Sequence, residues 1–249
     1  MFKVKKAIIM AAGKGTRLRP VTLNVPKPLI RVNGTRMIDS IIEGLISNEI
    51  NDIYVVVGYL KDKFKVLIDE YKYSKTPEGK DVSLKLIENP YFENCNNISS
   101  LYVARAYLGE CVIIDGDQIL KGKKILVPEV ECSGYCSSWS EEYTSEWAQY
   151  LDEKGYVVKC RRNGGDKCWR LHGVSFWSKQ DGEKLKYYIE QEFLKKGNTQ
   201  LYWDDIAMFT HRDKFKLAIR KISNEDIVEI DNLDELIEID NRYMEMRNE

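Results

Sequence analysis

Two glycines, an arginine and a lysine near the N-terminus carry the most specific chemistry in this sequence. Ala11-Ala12-Gly13-Lys14-Gly15-Thr16-Arg17-Leu18-Arg19-Pro20 is followed by Pro26-Lys27-Pro28-Leu29. A glycine-rich turn keeps Cβ atoms out of the way, so phosphate oxygens can approach backbone N–H groups closely. Arg17 and Lys27 supply the positive charge that a triphosphate demands, one as a planar fork and the other as a point charge. The spacing fits neither of the common phosphate loops. Ile8 stands where a Walker A loop needs its first glycine and Gly15 where it needs Ser or Thr, while Leu18 replaces the third glycine of a dinucleotide fingerprint. A second constellation is Asp115-Gly116-Asp117, directly after the apolar run Cys111-Val112-Ile113-Ile114. Ligands of open α/β sheets gather at the carboxyl ends of strands, and hard Mg²⁺ prefers carboxylate and phosphate oxygens.

The second half of the chain is dense in aromatics next to acids: Glu146-Trp147, Gly173-Val174-Ser175-Phe176-Trp177 and Leu201-Tyr202-Trp203-Asp204-Asp205. A quaternary ammonium cannot donate a hydrogen bond and is best held by aromatic faces beside a carboxylate. Trp147, Trp177, Tyr202 and Trp203 with Asp204 can build such a box, although each aromatic taken alone is more often core. A primary amine would instead call for a pocket rich in carboxylates.

The elements that must position these residues follow from hydrophobic periodicity. Ala7–Ala12, Ile53–Gly58 and Cys111–Asp115 read as buried parallel strands, and Val82–Ile87 alternates as a further strand. Met37, Ile38, Ile41, Ile42, Leu45 and Ile46 recur at helical spacing, with further helices expected over Lys61–Tyr71 and Ser99–Tyr107. The rhythm predicts an α/β fold, a Rossmann-like mixed but mainly parallel sheet flanked by helices. From Lys124 to Trp177 the segments are short and aromatic, as in a smaller antiparallel β extension. Helical patterns return at Asp181–Lys195 and Trp203–Thr210, then a strand at Ile227–Ile230 and a helix from Asn232. No Pro/Gly/Ser linker intervenes. The expectation is one domain over 1–249, with a nucleotide-binding half at about 1–122 and an acceptor-binding half at about 123–249.

The N-terminal loop with its Pro-Lys pair resembles the signature of the sugar-phosphate nucleotidyltransferases. That resemblance implies that Gly13, Gly15, Thr16, Arg17 and Lys27 contact an NTP, with Ala11 and Ala12 beside the base. It implies Mg²⁺ on Asp117 and on a second carboxylate whose best match is Asp231, a residue equally suited to cap the following helix. The segments Asn96-Asn97-Ile98-Ser99-Ser100, Glu146-Trp147, Gly173–Trp177 and Leu201–Asp205 further resemble bacterial CTP:phosphocholine cytidylyltransferases nearly end to end. By that resemblance Asn97 and Ser100 read the base, Arg17, Lys27 and Asp117 carry the catalysis, and Trp147, Trp177, Tyr202, Trp203, Asp204 and Glu229 face the acceptor. A second phosphate-contacting lysine would be Lys167, or alternatively Lys159. The implied reaction joins CTP and phosphocholine into CDP-choline and pyrophosphate. Phosphoethanolamine, 2-aminoethylphosphonate or a sugar 1-phosphate are alternative acceptors. A metal-dependent glycosyltransferase and a catalytically silent nucleotide-binding module are more distant readings.

Composition narrows the partners. Lys plus Arg number 38 against 39 Asp plus Glu, without the basic excess of a nucleic-acid binder. No stretch approaches the roughly 20 apolar residues of a membrane span, and the apolar run after Lys6 is too short for a cleavable leader. The six cysteines show no metal-binding spacing and read as reduced thiols, which points to a cytoplasmic protein. A homo-oligomer is compatible with the sequence but not dictated by it.

Overall fold

The structure, a computed structural model, describes residues 1–122 and 125–248. Lys123 and Lys124, at which the expected junction between the two halves and the start of the β extension fall, lie outside the described residues. Lys6–Ala11 (β1), Asp52–Val57 (β2), Ser83–Glu88 (β3) and Cys111–Asp115 (β4) run parallel in the order β4-β1-β2-β3. Their side chains alternate between two apolar layers. On one face Ala7, Ile9 and Val55 pack with Ile38, Ile41 and Leu45 of helix α1 (Met37–Ser47) and Leu67 of α2 (Lys65–Tyr71). On the other, Ile8, Val56 and Ile113 meet Leu101 of α3 (Ile98–Ala104) and Leu185 of α4 (Lys179–Ile189). Burial on both faces explains why β1, β2 and β4 read as unbroken apolar runs, while the edge strand β3 is only partly buried and alternates.

Beyond β4 the sheet changes sense. Gln118–Leu120 (β5) leaves it, while Gly134–Ser140 (β6), Ala148–Leu151 (β7), Val157–Arg161 (β8) and Cys168–Trp177 (β9) form its antiparallel part. The long β9 pairs with β6 on one side and with both β4 and β7 on the other. Nine strands thus run in one continuous sheet, closed by the parallel edge strand Ala218–Lys221 (β10) beside β6. Ile227–Glu229 (β11) folds back on β5 and leads into α5 (Leu233–Ile239). The fold is mixed α/β, parallel across β1–β4 and mostly antiparallel beyond β4.

Several expected elements differ in detail. The helix expected at Lys61 opens as a 3-10 turn before α2 begins at Lys65. The helix expected over Asp181–Lys195 starts at Lys179, capped by Ser178, and ends in a π turn over Glu190–Lys195. Only Ile206–Thr210 of the expected Trp203–Thr210 helix is helical, again as a π turn. All six cysteines are free thiols. Among the described residues no helix is long and apolar enough to cross a membrane.

Candidate active site

The chain leaves β1 at Ala11 and turns at Gly13 and Gly15. Gly15 sits at φ +59, where a Cβ would also press within 3.0 Å of Lys27 Cβ and 3.1 Å of Thr22 Cγ2. Thr22 Oγ1 donates to the Gly15 carbonyl at 2.9 Å, and the fully buried Leu18 anchors the 3-10 turn Thr16–Leu18. At Gly13 a Cβ would meet no protein atom within 4 Å. Its bare backbone faces a cleft instead.

Pro26 fixes an extended entry into the 3-10 turn Lys27–Leu29, which sends the buried Lys27 side chain across that cleft. Its Nζ donates to Asp117 Oδ2 at 2.7 Å and reaches Asp231 Oδ1 at 3.4 Å. Arg17 Nη2 donates to the same Asp231 oxygen at 2.8 Å. Asp117 leaves the end of β4 beside β1, the parallel ladder that pairs Met10 with Asp115 carrying on to the Gly116 N–H, which donates to the Met10 carbonyl at 2.9 Å. A Cβ on Gly116 would lie 2.9 Å from that same carbonyl oxygen, so only glycine fits. The helix cap at the other end is Asn232, whose Oδ1 accepts from Glu235 N at 3.0 Å. Asp231 is thereby left to point inward.

The cleft consists of two adjoining depressions of about 350 and 430 Å³ that share Met10, Gly13, Arg17, Asp117 and Asp231. The first is walled by the glycine loop with Ala11, Thr16, Lys27 and Asn96. The second is walled by Ala12, Asn97, Ser100, Asp115, Glu146 and Glu229. Asn97 Oδ1 already accepts from Trp203 N at 2.9 Å, and Ser100 Oγ accepts from Asn89 Nδ2 at 3.0 Å. Both residues hold two chain segments together as well as facing the cleft.

Charge in the cleft is lopsided. Burial works to lower the Lys27 ammonium, but Asp117, Asp231 and Glu229 outweigh it and hold its pKa above the ordinary value. Burial, reinforced by Asp117, Asp231 and Glu146, pushes Glu229 up to about 8. Asp115 is raised well above the carboxylate range by burial and by Asp117, Asp204 and Glu229. Asp204 is pushed up to about 7, chiefly by burial and then by Asp205 against the opposing Tyr135 hydroxyl. That hydroxyl is buried beside Asp204 but closes no hydrogen bond of normal geometry. Among the described residues no three His, Cys, Asp or Glu side chains converge as a ready-made cation cage. Mg²⁺ needs none, since it usually takes one or two carboxylates and completes its shell with water and substrate phosphates. Asp117 and Asp231, brought to one point by Lys27, are a pair of that kind.

The aromatic box assembles only in part. Trp147 and Tyr202 meet edge to face with ring centroids 5.9 Å apart, backed by Phe209 at 5.3 Å from Trp147. The Arg162 guanidinium lies 3.9 Å over Phe209 and is anchored to the buried Asp205 by Nε at 3.0 Å. Trp177 and Trp203 are not cage residues. Trp177 is fully buried with its Nε1 donating to Ser175 Oγ, and Trp203 stacks on Tyr135 inside the same core. Lys167 is also misplaced by the sequence. It sits exposed on the turn before β9, its N–H donating to the Glu141 carbonyl, at the end of that strand remote from Gly173 and Asp115. Lys159 packs over the Tyr150 ring at 5.5 Å on β8. Neither lines the cleft. Glu146 and Asp115, quoted in the sequence motifs but given no site role of their own there, both line the cleft.

The arrangement of glycine loop, Arg17, Lys27 and paired carboxylates coincides with a family match. Residues 6–123 fit the nucleotidyl transferase family model. A 2-aminoethylphosphonate cytidylyltransferase of Lancefieldella rimae is 35% identical over 240 residues, covering 96% of this chain and 93% of that protein. The chain belongs to the nucleotidyl transferase family. A choline-phosphate cytidylyltransferase of Streptococcus pneumoniae is 34% identical over 232 residues, 92% of this chain and 93% of its own length. The solved structure of CTP:phosphocholine cytidylyltransferase from the same species superposes with a TM-score of 0.83 at 32% identity, over 95% of this chain and 98% of that one. Membership in this nucleotidyltransferase family makes the chain an enzyme, and the cleft its candidate active site.

Asp204 allows a direct check on the electrostatics. An acid whose folded-state pKa is raised binds more protons folded than unfolded between the two values, so stability falls as pH rises across that window. For Asp204 the window runs from its ordinary 3.8 to about 7. Asp204→Asn should therefore gain about 1–2 kcal/mol over wild type at pH 8, discounted for solvent at its partly exposed flank, and little at pH 4. Thermal melts of both proteins at the two pH values measure this. Equal differences at both would mean that Asp204 is ordinarily acidic.

Proposed function

We propose that this enzyme is a Mg²⁺-dependent cytidylyltransferase acting on a small acceptor that carries a phosphate or phosphonate at one end and a primary ammonium at the other. The carrying observation is the surplus of carboxylates on the acceptor side of the cleft, where Asp115, Glu146 and Glu229 line the wall with Asp204 close behind Asp115, while among the described residues lining it Lys27 belongs to the nucleotide side and Arg17 is shared by both. A primary ammonium offers three N–H donors to such oxygens. The nucleotide half of the reading rests on the L. rimae and S. pneumoniae relatives, both cytidylyltransferases by name.

In the proposed reaction an acceptor oxygen attacks the α-phosphorus of CTP, forming the new P–O bond as the bond to the β-phosphate oxygen breaks and pyrophosphate departs. The chain contributes no nucleophile. The Gly13–Gly15 backbone and Arg17 receive the phosphates, and Lys27 neutralises charge on the leaving side. Mg²⁺ held by Asp117 and Asp231 would supply Lewis-acid stabilisation of the phosphoryl oxygens. Asn97 and Ser100 offer the polar groups for the base.

Phosphocholine, the acceptor expected first from the sequence, becomes the second reading, favoured by the Trp147–Tyr202 pair. With Trp177 and Trp203 withdrawn into the core, only two of the four expected cage aromatics are left to serve it. Pyrophosphate release should be followed at subsaturating 2-aminoethylphosphonate, phosphoethanolamine and phosphocholine with CTP and Mg²⁺. The better primary amine should lead phosphocholine at least about tenfold in kcat/KM, or ~1.4 kcal/mol. The opposite ranking would restore choline.

A further inference from the structure

Gln118 follows Asp117 directly and pairs across β5 and β11 with Glu229. Its side chain is fully buried, and neither amide atom finds a hydrogen-bond partner. Buried polar side-chain atoms are nearly always paired, and an unpaired one is costly to keep. The neighbouring backbone makes room for this amide. At Gly173 of β9 a Cβ would lie 2.7 Å from Gln118 Nε2 and 2.2 Å from Asp115 Oδ2, so the glycine brings both groups to the same Cα. Asp115 faces the cleft, whereas Gln118 stands behind it.

We propose that Gln118 is a positioning residue for the acceptor, acting through Asp115. Its amide donates to the Asp115 carboxylate when the acceptor's cation draws that carboxylate into place, directly or through one trapped water. The amide is kept at a site where an apolar side chain of the same shape would cost nothing in stability, because its partner is engaged only in the loaded cleft. The proposal rests on the reading of the acceptor side given above.

The test is a double-mutant cycle in the full chain with Gln118→Met, Asp115→Asn and the pair. The acceptor is whichever one the wild type uses fastest. The ranking of acceptors by wild type tests the acceptor class, while the variant-to-wild-type ratio for that one acceptor tests Gln118. Gln118→Met should melt no lower than wild type and keep KM for CTP within about twofold, yet lose at least about tenfold in kcat/KM for the acceptor. In the Asp115→Asn background the same change should cost less than about threefold, since coupled residues are not additive. If Asp115→Asn turns over too slowly for a rate, the cycle is read from the acceptor-induced shift in melting temperature. Equal losses in both backgrounds, or a lower melting temperature with CTP and acceptor affected alike, would assign Gln118 to core filling and overturn the proposal.

Discussion

Asp117→Ala is expected to lower kcat/KM for CTP by at least about a thousandfold, the scale on which phosphoryl transfer depends on its charge-stabilising groups. The fold should tolerate the change. Asp117 sits with Glu229 and Asp231 around one ammonium, and Lys27 still reaches Asp231 when Asp117 is gone. Removing one of the acids that push Glu229 to about 8 relieves repulsion, so the melting temperature of the ligand-free protein should hold or rise. Asp231→Ala should also slow turnover, to a lesser degree. Initial rates across a Mg²⁺ titration, alongside melting curves, separate the two effects. An Asp117→Ala enzyme that kept more than about a tenth of wild-type turnover would take the metal away from this turn.

The second large effect is expected from Lys27→Met, and it concerns folding as much as catalysis. From sequence, a phosphate loop is expected to be solvated when empty, so that losing either cation spares the fold. That picture suits Arg17, whose side chain is 67% exposed, but not Lys27 at 8%. Withdrawing the buried ammonium leaves Asp117 and Glu229 without compensation and Asp231 with the exposed Arg17 alone, a change on the order of 3–5 kcal/mol. Lys27→Met should therefore melt well below wild type, and added Mg²⁺ should recover more of the loss than it adds to wild type. Arg17→Ala should melt normally and lose only about 1.5–3 kcal/mol of transition-state stabilisation. If Lys27→Met matched the wild-type melting temperature without metal, the lysine would not be the counter-charge of the cluster.

Much of this site was legible because its parts lie where local rules are strongest. The glycine loop follows a strand buried on both faces, and such a strand announces itself as an uninterrupted apolar run. Asp115-Gly116-Asp117 closes another. The acceptor half was harder to read, for a physical reason. Trp177 and Trp203 carry the same side chain as Trp147, and sequence does not distinguish a ring that packs on Tyr135 from one that packs on Tyr202. Burial is decided by how β6, β9 and the segment from Leu201 meet, which is long-range information. The same holds for Lys167, which its place in sequence puts near Gly173, but which an extended β9 carries to the far end of the strand. The edge strand β10, with two basic residues among four, had no periodicity to betray it.

The bridge from Lys27 to Asp117 and Asp231 has a bearing on how the substrates arrive. In the empty enzyme each of the two species expected here finds its place blocked by the counterpart of its own charge. A divalent ion coming alone meets an ammonium between the carboxylates it needs, while a bare nucleotide brings its phosphates toward acids left uncovered once the lysine turns to meet them. Arriving together, they would trade partners with the protein on the proposed reading: the ion would take the aspartates, and the freed lysine the phosphates. Metal and nucleotide should each tighten the hold on the other, with no change of backbone, by exchanging ions along a circuit that the folded chain keeps closed while it waits.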